Sequence, residues 1–197
     1  MTKLKVGITG GIGSGKSFCA RYFQALGIPL YSADDRAKEL MRKDNSIKSH
    51  LTALLGEDAY LTSGELNKPF LRQQLFGNAD IRKQIDAIVH PAVGKDYEQW
   101  HAAQHTPFTL KEAALLVESG SYKELDHLIM VKAPAELRFQ RIMQRDKIGM
   151  EEVHKRIQSQ WPEEKKSEAA DYFIDNSGLF PLLPQIIGLY KEIISQA

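Results

Sequence analysis

Residues 10–17 read Gly-Gly-Ile-Gly-Ser-Gly-Lys-Ser and stand directly behind the apolar run "LKVGIT". The pattern is G-x-x-x-x-G-K-[ST], whose chemistry is the holding of phosphate. Main-chain N–H groups can wrap a polyphosphate only where side chains leave the approach open, as glycines do. The expected phosphate donors are therefore the N–H groups of Gly11, Ile12, Gly13, Ser14, Gly15, Lys16 and Ser17, with the Lys16 ammonium reaching the outer phosphates. A helix opening near Ser17 would add the positive end of its dipole, and the Ser17 hydroxyl is a donor of the kind that ligates Mg²⁺. The bland alternative is a glycine turn between a strand and a helix. The strand before it and the helix "SFCARYFQAL" behind it supply the context that the phosphate reading requires.

A second group of chemistry-bearing residues is cationic. Pro134 opens a helical stretch that runs to about Lys147, and within it Arg138, Arg141 and Arg145 recur on one face. Planar, permanently charged guanidinium groups suit phosphate; the alternative is a solvated face pairing with Glu136 or Asp146. Another helix is expected from near Met150 to about Trp161, with Val153, Ile157 and Trp161 as its apolar stripe. His101 and His105 could form half of a zinc site, but a third ligand at suitable spacing is missing, and two exposed histidines on one helix is the better account. Tyr97, Trp100 and Trp161 read as packing anchors.

Five short apolar runs must position these groups. They are the run before the glycines, residues 28–33, a segment with its apolar part at 113–117, residues 127–133 and residues 171–175. Helical stretches separate them, which predicts an α/β fold with a five-stranded parallel sheet covered by helices. Glu118 then ends the third strand near the glycine loop, where it could hold Mg²⁺ through water. Between residues 33 and 108 the pattern is helical throughout: Leu51, Leu54 and Leu55 share a face, as do Ile81, Ile85, Ile88 and Val89. Gly56, Gly64, Pro69, Gly77 and Pro91 punctuate this stretch, which predicts an insertion of several short helices large enough to cover a substrate. The expected division is a core of residues 1–33, 108–134 and 163–197, a helical insertion at 34–107 and a small lid at 135–162.

The 197 residues carry 26 Lys+Arg against 25 Asp+Glu, a formal charge of +1 that offers no general attraction to nucleic acid or membrane. Neither class of partner is expected, and an anionic ligand must be held by local groups. The single cysteine, Cys19, excludes an internal disulfide and fits a reducing, cytoplasmic setting. No apolar run approaches the roughly 18 residues of a membrane span, and "MTKLKVGITGG" has no secretion-signal pattern. With no heptad seam in view, a monomer or weak homo-oligomer is expected.

Taken in order, "GITGGIGSGKS", "SADDRA", "LRQQLFGN", "IVHPAV", "LLVESG", "RFQRIMQRD", "RIQSQW" and "FIDNSG" resemble the dephospho-coenzyme A kinases over nearly the whole chain. The His-Pro and the spacing of R-x-x-x-R-D and R-x-x-x-Q make the match specific. The resemblance implies a P-loop NTPase core, a helical coenzyme-A-binding insertion and a lid. The reaction it implies is transfer of the γ-phosphoryl group of ATP, with Mg²⁺, to the ribose 3′-hydroxyl of dephospho-CoA, the last step of coenzyme A synthesis.

Roles follow from the resemblance position by position. Asp34 is similar to the family aspartate that orients the acceptor hydroxyl and takes its proton, although as a first-turn acid it could also serve a helix start. Arg141 and Arg145 match the lid arginines, expected on phosphate, and with Lys16 and Asp34 Arg141 completes the implied catalytic set. His90 resembles the substrate-side histidine; alternatively it finishes a helix that Pro91 stops. Asn176 matches a position expected near adenine. The chain departs from the family in two places: Ser32-Ala33-Asp34 stands where the family reads D-A-D, and Ala114 replaces a proline.

Overall fold

The structure is a computed structural model that describes residues 3–75 and 78–197; Gly77, named above as punctuation, lies outside the described residues. The chain divides into two compact units. A sheet unit runs to Ser32 and resumes at Gln104, and a helical unit spans Ala33–Ala103.

The sheet unit is built on strands β1 (Leu4–Thr9), β2 (Leu30–Ser32), β3 (Phe108–Glu112), β4 (His127–Lys132) and β5 (Tyr172–Asp175). All pair in parallel in the order β2-β3-β1-β4-β5. Val6, Ile8, Phe108, Leu110, Ile129 and Val131 share one face of the sheet and are fully buried there, and on the other face Leu128 and Met130 of β4 are buried as well. Helix α1 (Lys16–Ala25) presents Cys19, Ala20 and Phe23 to this core, and Ile186 and Ile193 join it from the C-terminal helix Leu182–Ile194. Phe108 packs edge-on against Phe23 with ring centroids 6.4 Å apart.

The third strand lies earlier than its apolar run suggested. Residues 113–117 do not form a strand; the chain turns there, with Ser119 N–H bonded to Leu115 O and Gly120 N–H to Val117 O. The strand is Phe108–Glu112, and it ends on Lys111 and Glu112, both buried. Charged residues can close a buried strand when its carboxyl end meets a counter-charge, which hydropathy alone does not register. Glu118 consequently stands six residues past the end of β3 rather than on it.

In the helical unit, α2 (Ala33–Lys43), α3 (Asn45–Leu55), α4 (Lys68–Leu75) and α5 (Ala79–Ala102) pack together. Asp44 caps α3 by accepting from Ser46 N–H at 2.8 Å and Ile47 N–H at 3.1 Å, and Asn78 caps α5 through Ile81 N–H. The insertion is not made of short helices only. Helix α5 is 24 residues long and continues through Pro91, so His90 does not finish a helix. The missing proline N–H removes one helical hydrogen bond, yet the buried stripe Ile85, Val89, Val93, Tyr97 and His101 holds the helix on both sides of it. His101 is buried against Tyr97, with ring centroids 5.9 Å apart, and is not one of two exposed histidines on a helix. Arg36 donates from Nε to Asp96 Oδ2 at 2.9 Å and forks onto its second oxygen, pinning α2, which carries Asp34, to α5, which carries His90.

The sheet unit also contains α6 (Ala135–Asp146), α7 (Met150–Gln158) and α8 (Glu163–Ser167). Residues 135–162, the expected lid, are not a separate compact unit. Val153 of α7 is buried, but Trp161 lies beyond the helix and is exposed, with the Lys165 ammonium 3.4 Å from its ring centroid. No helix among the described residues is long and apolar enough to cross a membrane.

Burial pushes the Cys19 thiol up to about 11, against a smaller opposing pull from Arg141. At about pH 9, where an ordinary thiol is largely ionised, native protein is expected to resist iodoacetamide while urea-unfolded protein reacts. The unfolded thiol gives up its proton near pH 8.5 and the folded one does not, so this group's contribution to stability falls as pH rises from there toward 11. Equal alkylation rates in the two states would contradict the burial.

Candidate functional site

The glycine loop owes its shape to residues outside it. Its successive carbonyls are held from behind: Arg138 Nε donates to Ile12 O at 3.0 Å, Arg141 Nη1 to Gly13 O at 3.4 Å and Ser14 O at 3.3 Å, and Asn176 Nδ2 to Ser14 O at 2.7 Å. With the carbonyls engaged outward, the N–H groups turn inward. Those of Gly13, Gly15, Lys16 and Ser17 have no protein acceptor among the described residues, an arrangement that fits an anion. Gly13 and Gly15 adopt φ of 82° and 91°, which side chains disfavour. A Cβ on Gly13 would come within 2.8 Å of the Arg138 carbonyl, and one on Gly15 would collide with the Asn176 amide.

Helix α1 begins at Lys16 with Gly15 as its N-cap and no side-chain cap, so its first N–H groups stay available. The cleft in front is lined by Gly11, Gly13, Gly15, Lys16, Ser17, Phe18, Arg141 and Arg145. The loop residues, Arg141 and Arg145, expected together from the sequence, are thus together. Arg141 also reaches Asn176 O at 3.1 Å, so it braces the loop as well as lining the cleft. Arg145 is exposed and pairs through Nε with Asp146 at 2.7 Å. That hydrogen bond first, then charge from Arg145 and Arg156, holds the Asp146 carboxyl below its usual range. Asn176 is buried with its amide spent on Ser14 O, so its side chain is a brace for the loop.

Three contributors were not assigned from sequence. Arg138, read there as an even choice between phosphate and a solvated face, does neither: it is buried behind the loop and paired with Glu163 of α8, whose carboxyl burial pushes up despite the guanidinium. Gln160 accepts from Ile12 N–H at 2.8 Å. Glu112, at the carboxyl end of β3, places Oε1 3.0 Å from Lys16 Nζ and 2.9 Å from Ser17 Oγ. The signal for Glu112 was present as a charged pair inside an apolar segment.

Glu118 has other partners. Its Oε1 lies 2.6 Å from Nζ of the fully buried Lys166 and accepts from Trp161 N–H at 3.2 Å, so the carboxylate beside Ser17 is Glu112. Asp34 and His90 belong to the helical unit. Asp34 sits in the first turn of α2, two residues past the end of β2, and exposed His90 is 3.7 Å from Asp86 on α5. Among the described residues no cluster of three or more His, Cys, Asp or Glu forms a metal site. The hard oxygens of Ser17 and Glu112, beside a phosphate cradle, are nonetheless the donor type that suits Mg²⁺.

A family model described as dephospho-CoA kinase matches residues 4–181. A dephospho-CoA kinase of Bacteroides fragilis is 39% identical over 187 residues, covering 94% of this chain and 91% of the relative. Among solved structures, a Thermus thermophilus protein superposes with a TM-score of 0.84 at 29% identity, covering 100% of this chain and 98% of its own. A dephospho-CoA kinase of Campylobacter jejuni superposes with a TM-score of 0.72 at 26% identity, with 99% of each chain covered.

Gly15→Ala is expected to strain the backbone by about 1–2 kcal/mol and to remove ATP binding in calorimetry, because the new methyl group displaces the Asn176 brace. Gly149→Ala, at φ −78° and in open space, is the matched control and should change neither. Undiminished ATP affinity in Gly15→Ala would overturn the steric account.

Proposed function

The chain belongs to the dephospho-CoA kinase family, and on that premise we propose the division of labour by which it phosphorylates dephospho-CoA with ATP, giving coenzyme A and ADP. The observation that carries the donor side is the loop whose carbonyls are tied back and whose N–H groups are left for a polyphosphate. The acceptor rests on the family match.

The N–H groups of Gly13, Gly15, Lys16 and Ser17 and the dipole of α1 hold the β- and γ-phosphates, while those of Ile12 and Ser14, expected to join them, are already spent on Gln160 and on Gly11 O, and Lys16 moves from Glu112 onto the oxygens that gain charge during transfer. Ser17 offers its hydroxyl to Mg²⁺, which when bound neutralises phosphate charge. Arg145, exposed at the cleft, exchanges Asp146 for a phosphate oxygen, while Arg141 keeps the loop in shape and contributes its charge from the cleft wall. Asp34 orients the ribose 3′-hydroxyl and accepts its proton, and His90 contacts the substrate from α5. Asn176 fixes the loop on the side where its family counterpart is expected to meet adenine. The near-zero net charge supports a small-molecule substrate rather than nucleic acid, and a lone buried thiol supports a cytoplasmic setting.

The test is ADP release with ATP and Mg²⁺, comparing dephospho-CoA with adenosine, AMP and no acceptor. Stimulation by dephospho-CoA alone, with coenzyme A as product by mass, is expected; equal rates with all acceptors would remove the substrate assignment. Lys16→Ala should lower kcat by about 10²–10³ with little change in the thermal midpoint. Asp34→Asn should keep ATP affinity while losing about 10²–10⁴ in turnover, and near-normal turnover would remove Asp34 as the base.

A further inference from the structure

We propose that Gln160 is a positioning residue for the nucleotide, holding the glycine loop in shape from the end of α7, and that the buried pair Glu118–Lys166 anchors the stretch that carries it. The proposal rests on the nucleotide reading above and deepens it. Ile12 is gripped on both sides. Gln160 Oε1 accepts from its N–H at 2.8 Å, and Arg138 Nε donates to its carbonyl at 3.0 Å while Nη1 of the same guanidinium is paired with Glu163. Residues 160 and 163 thus act on one loop residue from one short stretch, directly through an amide and indirectly through an arginine. Among the described residues the cleft is lined by Gly11 and Gly13 but by neither Ile12 nor Gln160, so Gln160 does not take a phosphate's place.

The stretch is fastened at Glu118. Its Oε1 accepts from Trp161 N–H at 3.2 Å and lies 2.6 Å from Lys166 Nζ, so both ends of residues 161–166 meet one carboxylate. The lysine also donates to Ala114 O at 3.3 Å, a carbonyl that Thr9 Oγ1, at the end of β1 just before the loop, reaches at 3.4 Å. Lys166 is fully buried, and Glu118 Oε2 is buried with no hydrogen-bond partner among the described residues. A pair placed in this way contributes little stability, because desolvation offsets the attraction and one oxygen is left bare. What it supplies is register. A slip of the stretch by one residue would strand a buried ammonium, so Gln160 meets Ile12 and Glu163 meets Arg138 in one arrangement only. ATP then finds a loop already shaped, which lowers the cost of binding it.

The experiment compares wild type, Q160M, E118Q/K166M and the triple variant Q160M/E118Q/K166M, by thermal melts without ATP and by calorimetric titration with ATP and Mg²⁺. Q160M removes the acceptor at similar length, and E118Q/K166M replaces the ion pair with neutral groups of similar shape. The dissociation constant for ATP should rise about 10-fold in Q160M and at least as much in the double variant, with little change in either thermal midpoint. The triple variant should bind no more weakly than the double, because the pair acts through Gln160. Unchanged affinity in Q160M would overturn the proposal, and tighter binding would show Gln160 to mask a phosphate donor rather than brace the loop. Multiplied losses in the triple variant, or a double variant that does not fold, would remove the pair as the anchor. A wild type that fails to bind ATP would instead overturn the nucleotide reading. Amide hydrogen exchange reads the same grip without ATP: protection of Ile12 should fall by about 10-fold in Q160M while that of Val6 in β1 stays as it was. Equal protection of Ile12 in the two proteins would overturn the role of Gln160.

Discussion

A loop made of glycine has no shape of its own, and the molecule's chemistry depends on giving it one. The ordering cost is high because glycine loses more backbone freedom than any other residue. What offsets it is a set of charged and amide donors, Arg138, Arg141 and Asn176, fastened to three successive carbonyls. A peptide group whose oxygen is tied back must point its N–H the other way, so an anion site is produced by contacts that never touch the anion. The braces come from α6 and from just past β5, far along the chain from the loop.

That remoteness explains what was legible in the sequence and what was not. The loop was legible because its demands are local: spacing, small side chains, one lysine and one hydroxyl within eight residues. The parallel sheet was legible through apolar runs alternating with helical periodicity. Arg138 and Arg141 both brace the loop, but only Arg141 also lines the cleft, a difference that a pattern of arginines on one helix face does not tell. Asn176 braces through a side chain whose partner is Ser14, a pairing that no local pattern encodes.

The misplacement of β3 shows the limit of hydropathy in another way. The reading favoured the longest apolar run, yet the strand ends on Lys111 and Glu112. A buried carboxylate is costly when judged alone and acceptable once Lys16 and Ser17 are beside it. The cost and its relief sit in different parts of the chain. Pro91 within α5 and His101 in its buried stripe are similar cases: each is tolerated because tertiary packing outweighs a local preference.

The strand order has a consequence for the nascent chain. Each pairing in the sheet involves β3, β4 or β5, because β1 and β2, first to be made, are not neighbours. Leu4 therefore has no strand partner until Phe108 has left the ribosome, and during that interval the contacts open to the chain are those of α1 with β1 and β2 and those within the helical segment 33–103. Both apolar segments must wait unpaired until β3 is made, in the condition in which exposed strand edges are prone to wrong partners. The helical unit, placed in the chain between β2 and β3, sets how long that exposure lasts.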